Sequence, residues 1–226
     1  MKHRGRSLKK TLFDLLNQGE LDKALAVMDR LPPRQIINPL LSFLQSGNEK
    51  VKWGAVKGTG QVVSRMAESD MESARVILRR LMWSLNDESG GIGWGSPEAM
   101  GEILASHSGL AREYALILLS YAREDGNYLE LEGLQRGLLW GVGRLSEKRP
   151  ELVREAAPLF LPYLDSKDEA VRGLAARLMG LLRLKQAEPM LEQLRQDESP
   201  IAFMMENHLT TIRVRDLAEE ALRAIG

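Results

Sequence analysis

Apolar residues along this chain recur at intervals of three and four, and strict alternation is almost absent. Between Glu20 and Leu31 they fall at Leu21, Ala24, Leu25, Met28 and Leu31, one stripe of an amphipathic helix. Leu12, Leu15 and Leu16 form an earlier stripe that Gly19 closes, and Pro32-Pro33 stops the second helix. Asn38 and Pro39 then read as N-cap and first turn of a short helix to Gln45. Gly47-Asn48 turns the chain into a longer helix over 49–67. Ser69 and Glu72 have the spacing of a capping box and open a helix over 71–85. Ser96-Pro97-Glu98 reads as cap, first-turn proline and N-terminal acid of a helix reaching His107. Further helices are expected over 109–123, 128–146, 150–164, 168–184, 187–195 and 213–225. One stretch departs from this period. From Ile201 to Ile212 the chain is apolar and β-branched on both sides of Glu206-Asn207-His208, and it reads as a small β-hairpin near residues 200–212 with Asn207-His208 at its tip.

The second helix of each pair repeats a pattern. Val51-Lys52-Trp53-Gly54-Ala55 aligns with Val171-Arg172-Gly173-Leu174-Ala175 and with Val214-Arg215-Asp216-Leu217-Ala218. In two copies a glycine follows five residues after the alanine, Gly60 and Gly180, and weaker copies start near Pro97 and Gln135. The starts at 51, 97, 135, 171 and 214 are spaced by 46, 38, 36 and 43 residues, which suits a helical-hairpin repeat of about 40. Valine and alanine four apart share a helix face, where small residues let the next hairpin approach closely. The basic residue lies beside the turn, where it can meet an acid or carbonyls of the neighbouring repeat, and Asp168 ahead of Val171-Arg172 completes that arrangement.

The segments Asp168-Glu-Ala-Val-Arg-Gly-Leu-Ala-Ala-Arg-Leu-Met-Gly180 and Val214-Arg-Asp-Leu-Ala-Glu-Glu-Ala-Leu-Arg-Ala-Ile-Gly226 resemble HEAT repeats of the kind also found in bilin lyases. The resemblance spans roughly residues 35–226 in five degenerate copies. The stretch from Trp83 to Leu104 is also similar to uncharacterised bacterial HEAT-repeat proteins with an acidic, glycine-rich loop. The resemblance implies an all-α fold, a right-handed α-α superhelix (a HEAT-like solenoid) of about five helical hairpins. It further implies binding of other macromolecules along a concave surface made by the second helices. Residues 1–33 are expected to form an N-terminal helical cap on a solenoid of residues 34–226, one domain overall.

Charge narrows the function classes. The 31 basic and 31 acidic side chains cancel, so no whole-protein field draws in DNA or an anionic membrane. Cysteine is absent, which excludes disulfides, thiolate metal sites and cysteine nucleophiles. His3, His107 and His208 lie far apart and form no metal-ligand spacing. No apolar run approaches the ~18 residues of a membrane span, and the basic start, read as a solvated tail, precedes no signal-peptide core. A cytoplasmic protein is the simplest expectation.

Two insertions are the candidate sites. The connector 86–95 brings together Asn86, Asp87 and Glu88, follows them with a glycine-rich run, and carries Trp94. With Trp83 it could frame an apolar pocket, and it delivers the chain to a helix N-terminus at Ser96-Pro97, where free amides attract anions. It reads either as a recognition loop, or as a packed turn with Asp87 or Glu88 capping helix ends. No strand precedes the glycines, against a dinucleotide site, and Asp87-Glu88 lacks the alternating ligands of a calcium loop. At the hairpin, Asn207 and His208 either shape an edge for a partner strand or belong to a cap over the stack. Lys52, Lys57, Arg65, Arg136, Arg144, Arg172 and Arg177 on second helices could follow a phosphate backbone, or form an inter-repeat ladder. Trp53 and Trp140 read as packing between repeats.

No catalytic constellation, metal cluster or phosphate loop is readable, and no cofactor is expected. The leading expectation is a non-enzymatic scaffold that binds a protein or peptide through its concave face and the 86–95 loop. The alternatives are a nucleic-acid-binding or DNA-repair protein, since some HEAT-like folds are alkylpurine DNA glycosylases, and a cofactor lyase or chaperone by analogy with bilin lyases. In the repair reading, Asp87 and Glu88 supply the acid beside Trp83 and Trp94.

Overall fold

Short polar caps and prolines set where the helices begin and end. The computed structural model describes residues 2–86 and 93–226, which form two compact units, Met1–Leu110 and Ala111–Gly226. In the first unit α1 (Lys2–Asn17), α2 (Leu21–Asp29) and α3 (Pro33–Phe43) all pack on α4 (Glu49–Ser69), as do α5 (Met71–Leu85) and α6 (Ser96–Ser106). Asn48 starts α4 by accepting hydrogen bonds from the amides of Lys50 and Val51 at 3.0 and 3.3 Å. Val51, Ala55, Val62 and Val63 are fully buried along it. A side chain at Gly60 would stand 2.5 Å from Glu102 Cγ, so this glycine is what lets α6 seat on α4.

α7 (Ser108–Ser120) carries the chain into the second unit. There α8 (Glu132–Lys148), α9 (Glu169–Leu182), α10 (Glu188–Leu194) and α11 (Val214–Ile225) build the stack, with α9 touching both α8 and α11. The repeat pattern behaves as its spacing predicts. Val171, Ala175, Val214 and Ala218 are fully buried, and Gly180 admits Ala221, whose Cα would lie 2.7 Å from an added Cβ. The neighbouring first helix is not α-helical. Pro150–Leu152 and Arg154–Asp165 are 3₁₀ segments, because Pro158 and Pro162 each remove a backbone donor inside the run.

The hairpin forms between α10 and α11 as β1 (Pro200–Met205) and β2 (His208–Arg213), antiparallel, with Ile201 opposite Ile212 and Met205 opposite His208. These are the only strands among the described residues. Ile201, Phe203 and Met204 are buried; Ile201 fills the space above Gly173, and the Trp140 indole donates to the Met204 carbonyl at 2.6 Å. β1 therefore lies on α8 and α9, over part of the second-helix face of this unit.

Several boundaries differ from the sequence reading. α3 starts at Pro33, so Pro39 sits inside it, and Asn38 accepts from Arg80 instead of capping. Asp70, not Ser69, caps α5: its carboxylate takes the Ser73 amide at 3.1 Å, while the Ser69 hydroxyl turns back to the Met66 carbonyl. Gly95 in the left-handed region, not Ser96, precedes α6. The basic N-terminal stretch is helical from Lys2. The hairpin turns at Glu206-Asn207, with Glu206 at φ 53°, and His208 is the first residue of β2 and not the tip.

Candidate functional site

The connector is anchored at both described ends. A side chain at Gly93 would lie 2.8 Å from the Ser84 carbonyl, and one at Gly95 2.6 Å from the Leu44 carbonyl. Gly95 is at φ 79°, which a residue with a Cβ adopts at a cost. The Ser84 and Ser96 hydroxyls join at 2.8 Å, tying the last turn of α5 to the first of α6. Between these anchors Trp94 is 39% exposed. Trp83, in the last turn of α5, is 78% exposed, and Asn86 is the C-cap of α5, its amide donating to the Trp83 carbonyl. Asp87 and Glu88 lie outside the described residues.

The exposed face of α5 extends this patch. Its buried stripe is Ala74, Ile77, Leu78 and Leu81. Val76 and Trp83, seven apart, fall off that stripe on a common outer face, where Val76 is 41% exposed. Arg80 stands between them and reaches the Asn38 side chain at 2.9 Å. Val76 went unnoticed in the sequence; its signal is an apolar residue out of phase with its own helix.

The start of α6 offers no open anion site. Ser96, Pro97 and Glu98 are buried, and the Glu98 carboxylate occupies that end with Lys52 Nζ at 3.1 Å. One turn on, Lys57 and Glu102 make a 2.7 Å pair that is buried on both sides. The other cations of the series are also engaged. Arg65 meets Asp29 at 3.5 Å and the Met28 carbonyl; Arg136 donates to Asp168; Arg144 and Arg177 share Glu147; Arg172 binds Asp197 at 2.7 Å and the Ser166 and Lys167 carbonyls. Each named cation thus faces an acid, the arrangement of a ladder between repeats rather than a phosphate track. Burial would push the Asp168 and Asp197 carboxyls up. The hydrogen bonds each accepts, from Arg136 and the Val171 amide and from Ser199 and Arg172, outweigh it and hold both below the usual carboxylate range.

Asn207 and His208 are at the turn end of the hairpin, with His208 exposed. Among the described residues, no group of three or more His, Asp or Glu side chains is placed to hold a metal ion, and no helix is long and apolar enough to cross a membrane.

Comparison with known proteins places this geometry. The family model for the HEAT-like repeat matches residues 132–182. An uncharacterised protein of Archaeoglobus fulgidus is 24% identical over 189 residues, covering 80% of this chain and 92% of that one. A designed armadillo repeat protein in complex with the peptide (KR)4 superposes with a TM-score of 0.53 at 19% identity, covering 96% of this chain and 98% of the other. Kap121p bound to Nup53p superposes with a TM-score of 0.59 at 14% identity, over 98% of this chain and 25% of Kap121p. The fold is that of HEAT and armadillo repeat proteins.

Proposed function

We propose that this chain, whose fold is that of HEAT and armadillo repeat proteins, is a non-enzymatic scaffold binding a protein or peptide partner, with residues 34–226 as the repeat array and 1–33 as its N-terminal cap. The contact surface is the outer face of α5 and the connector, through Val76, Trp83, Asn86, Trp94 and the adjoining Asp87 and Glu88. The observation that carries this reading is Trp83, a large apolar side chain 78% exposed at the end of α5. An indole left in water forgoes several kcal/mol of burial (~25 cal/mol per Å²), and tryptophan is among the residues that most often dominate binding when a partner covers them. The fold's neighbours include proteins in complex with a peptide and with another protein, which supports the same class of partner. The concave face of second helices is a weaker surface here, since its cations are engaged and β1 already covers part of it in the second unit. The same pairing weighs against nucleic acid.

The test is capture from native cell extract by wild type and by a Trp83→Ala/Trp94→Ala variant. A defined partner retained by wild type and lost from the variant, with an unchanged melting curve, is the expected result. Equal retention by both proteins would remove the connector from the binding surface. Duplex DNA at low salt is expected not to bind; a salt-sensitive complex would restore the nucleic-acid reading.

A further inference from the structure

The hairpin leaves one edge of its sheet open. On the β1 side the Met204 carbonyl accepts from the Trp140 indole, and it is β1 that packs on α9. The outer edge of β2 is different. The two-residue turn Glu206-Asn207, and the bond from the Val214 amide to the Ser199 carbonyl, fix which residues exchange hydrogen bonds along the ladder: Met205 with His208, Phe203 with Thr210, and Ile201 with Ile212. The alternate residues of β2, Leu209, Thr211 and Arg213, therefore turn their backbone groups away from β1. All three are exposed, and among the described residues their amides reach no backbone carbonyl of another element. Folded proteins guard such an edge with lysine, proline, a bulge or a very short strand. β2 has none of these. Its six residues, His208-Leu-Thr-Thr-Ile-Arg213, pair with β1 in unbroken register, include no proline or glycine, and carry one fixed charge, at the last residue.

This edge is complementary to itself. With a second copy laid antiparallel and the two-fold axis at Thr211, Thr211 meets Thr211, and Leu209 of each copy meets Arg213 of the other. Both pairings fall on outward-facing residues, so each open amide of one strand finds a carbonyl on the other. Threonine opposite threonine is a favourable cross-strand pair. Leu209, 49% exposed, comes to lie along the aliphatic stem of Arg213, whose guanidinium stays with Glu198 of its own chain at 2.8 Å. No like charges face each other: Arg213 is opposite leucine, and the antiparallel arrangement carries the turn with Glu206 toward the end where the other copy holds Arg213 and Arg215. We propose that β2 is a homodimerisation edge, through which two copies of this chain join their hairpins into one four-stranded antiparallel sheet centred on Thr211. A strand from another protein would have to supply the same pattern of side chains, which a second copy already carries. The proposal is independent of the connector and of the partner assigned to it above.

The experiment is sedimentation equilibrium of the full-length protein from micromolar to millimolar concentration, where a reversible monomer–dimer equilibrium is expected. Thr211→Lys sets two ammonium groups opposite each other across the axis and should weaken the dimer about tenfold or more; Thr211→Glu should do the same with carboxylates. Mixing these two variants should restore a dimer of one Lys and one Glu chain, a result that only a contact centred on this residue gives. Because Thr211 is exposed, the melting temperature of each variant, taken where wild type is monomeric, should be unchanged. If either variant fails to fold, Leu209→Arg, which brings a second arginine opposite Arg213, tests the same register. A wild type that stays monomeric at every concentration would overturn the proposal and leave the edge to a strand of another protein. A dimer undiminished in the folded variants, or not restored on mixing, would overturn it equally. The Trp83→Ala/Trp94→Ala protein should dimerise as wild type does, so failure of the connector as a partner surface would leave this result intact.

Discussion

Arg183 follows α9 at φ 54°, with its amide bonded to the Gly180 carbonyl and that of Leu184 to the Met179 carbonyl. This is the helix-ending geometry that glycine fills most readily, and a residue with a Cβ pays about 1–2 kcal/mol for it. Arg183→Gly, after the ~0.5–1 kcal/mol backbone-entropy cost of glycine, should raise unfolding free energy by about 0.5 kcal/mol, measured by urea denaturation. Asp168 offers a pH test. Its folded pKa lies below the ordinary aspartate value of 3.8, so its ionised form contributes stability that is whole above about pH 5 and lost as pH falls through the lowered value. Asn at 168 still caps α9 but cannot pair with Arg136, itself nearly half exposed. Asp168→Asn should therefore cost up to about 1 kcal/mol at pH 7, and the gap from wild type should close as pH falls through the lowered pKa. At this scale the sequence was legible in part: Asp168, read as the acid of a pair between repeats, does meet Arg136, while Asn48, read only as a turn residue, caps α4. It misled where two candidates stood side by side: Ser69 had the right spacing, but the Asp70 carboxylate takes both the amide and the hydroxyl of Ser73.

Helix pairs were the most legible elements, because valine and alanine four apart must share a face and the glycine beyond them must mark a close approach. The 3₁₀ segment was not, since apolar residues over 150–164 satisfy a three-residue period as well as a 3.6-residue one. Pro158 and Pro162 decided the matter by removing donors. The seam between α4 and α6 hid its chemistry as well. Lys57 read as a phosphate contact or a lysine of the ladder face and Glu102 was not singled out, yet both are buried at 2.7 Å. Breaking such a pair strands a charge: Lys57→Met or Glu102→Leu alone should cost about 3–5 kcal/mol, and the double variant much less than their sum. Chemical denaturation of the two single variants and the double variant measures this directly, and additive losses would refute the pairing energy.

For the whole molecule, zero net charge was the most informative number in the sequence. It lowered the nucleic-acid reading before any geometry, while the pairing of the basic side chains of the second helices with acids came only from the structure. The surface proposed for binding was legible only in part. Trp83 and Trp94 stand exposed as a recognition surface requires, whereas Asp87 and Glu88 fall outside the described residues, and His208 belongs to a strand. The Trp83→Ala and Trp94→Ala substitutions should leave unfolding free energy within about 0.5 kcal/mol of wild type. A larger loss, seen by calorimetry, would mean that the indoles hold the fold together instead of waiting for a partner.

The bond from the Trp140 indole to the Met204 carbonyl also has a consequence in time. It joins residues 64 apart, while Arg172–Asp197, Arg136–Asp168 and Lys57–Glu102 span 25, 32 and 45. Contacts that close longer loops form later, so the helices of the second unit should pair before the hairpin lands on them. Until then the Trp140 ring has no roof. In a variant whose only tryptophan is Trp140, refolding should show helix formation by circular dichroism ahead of the fluorescence change, which makes this indole a clock for the last step of assembly.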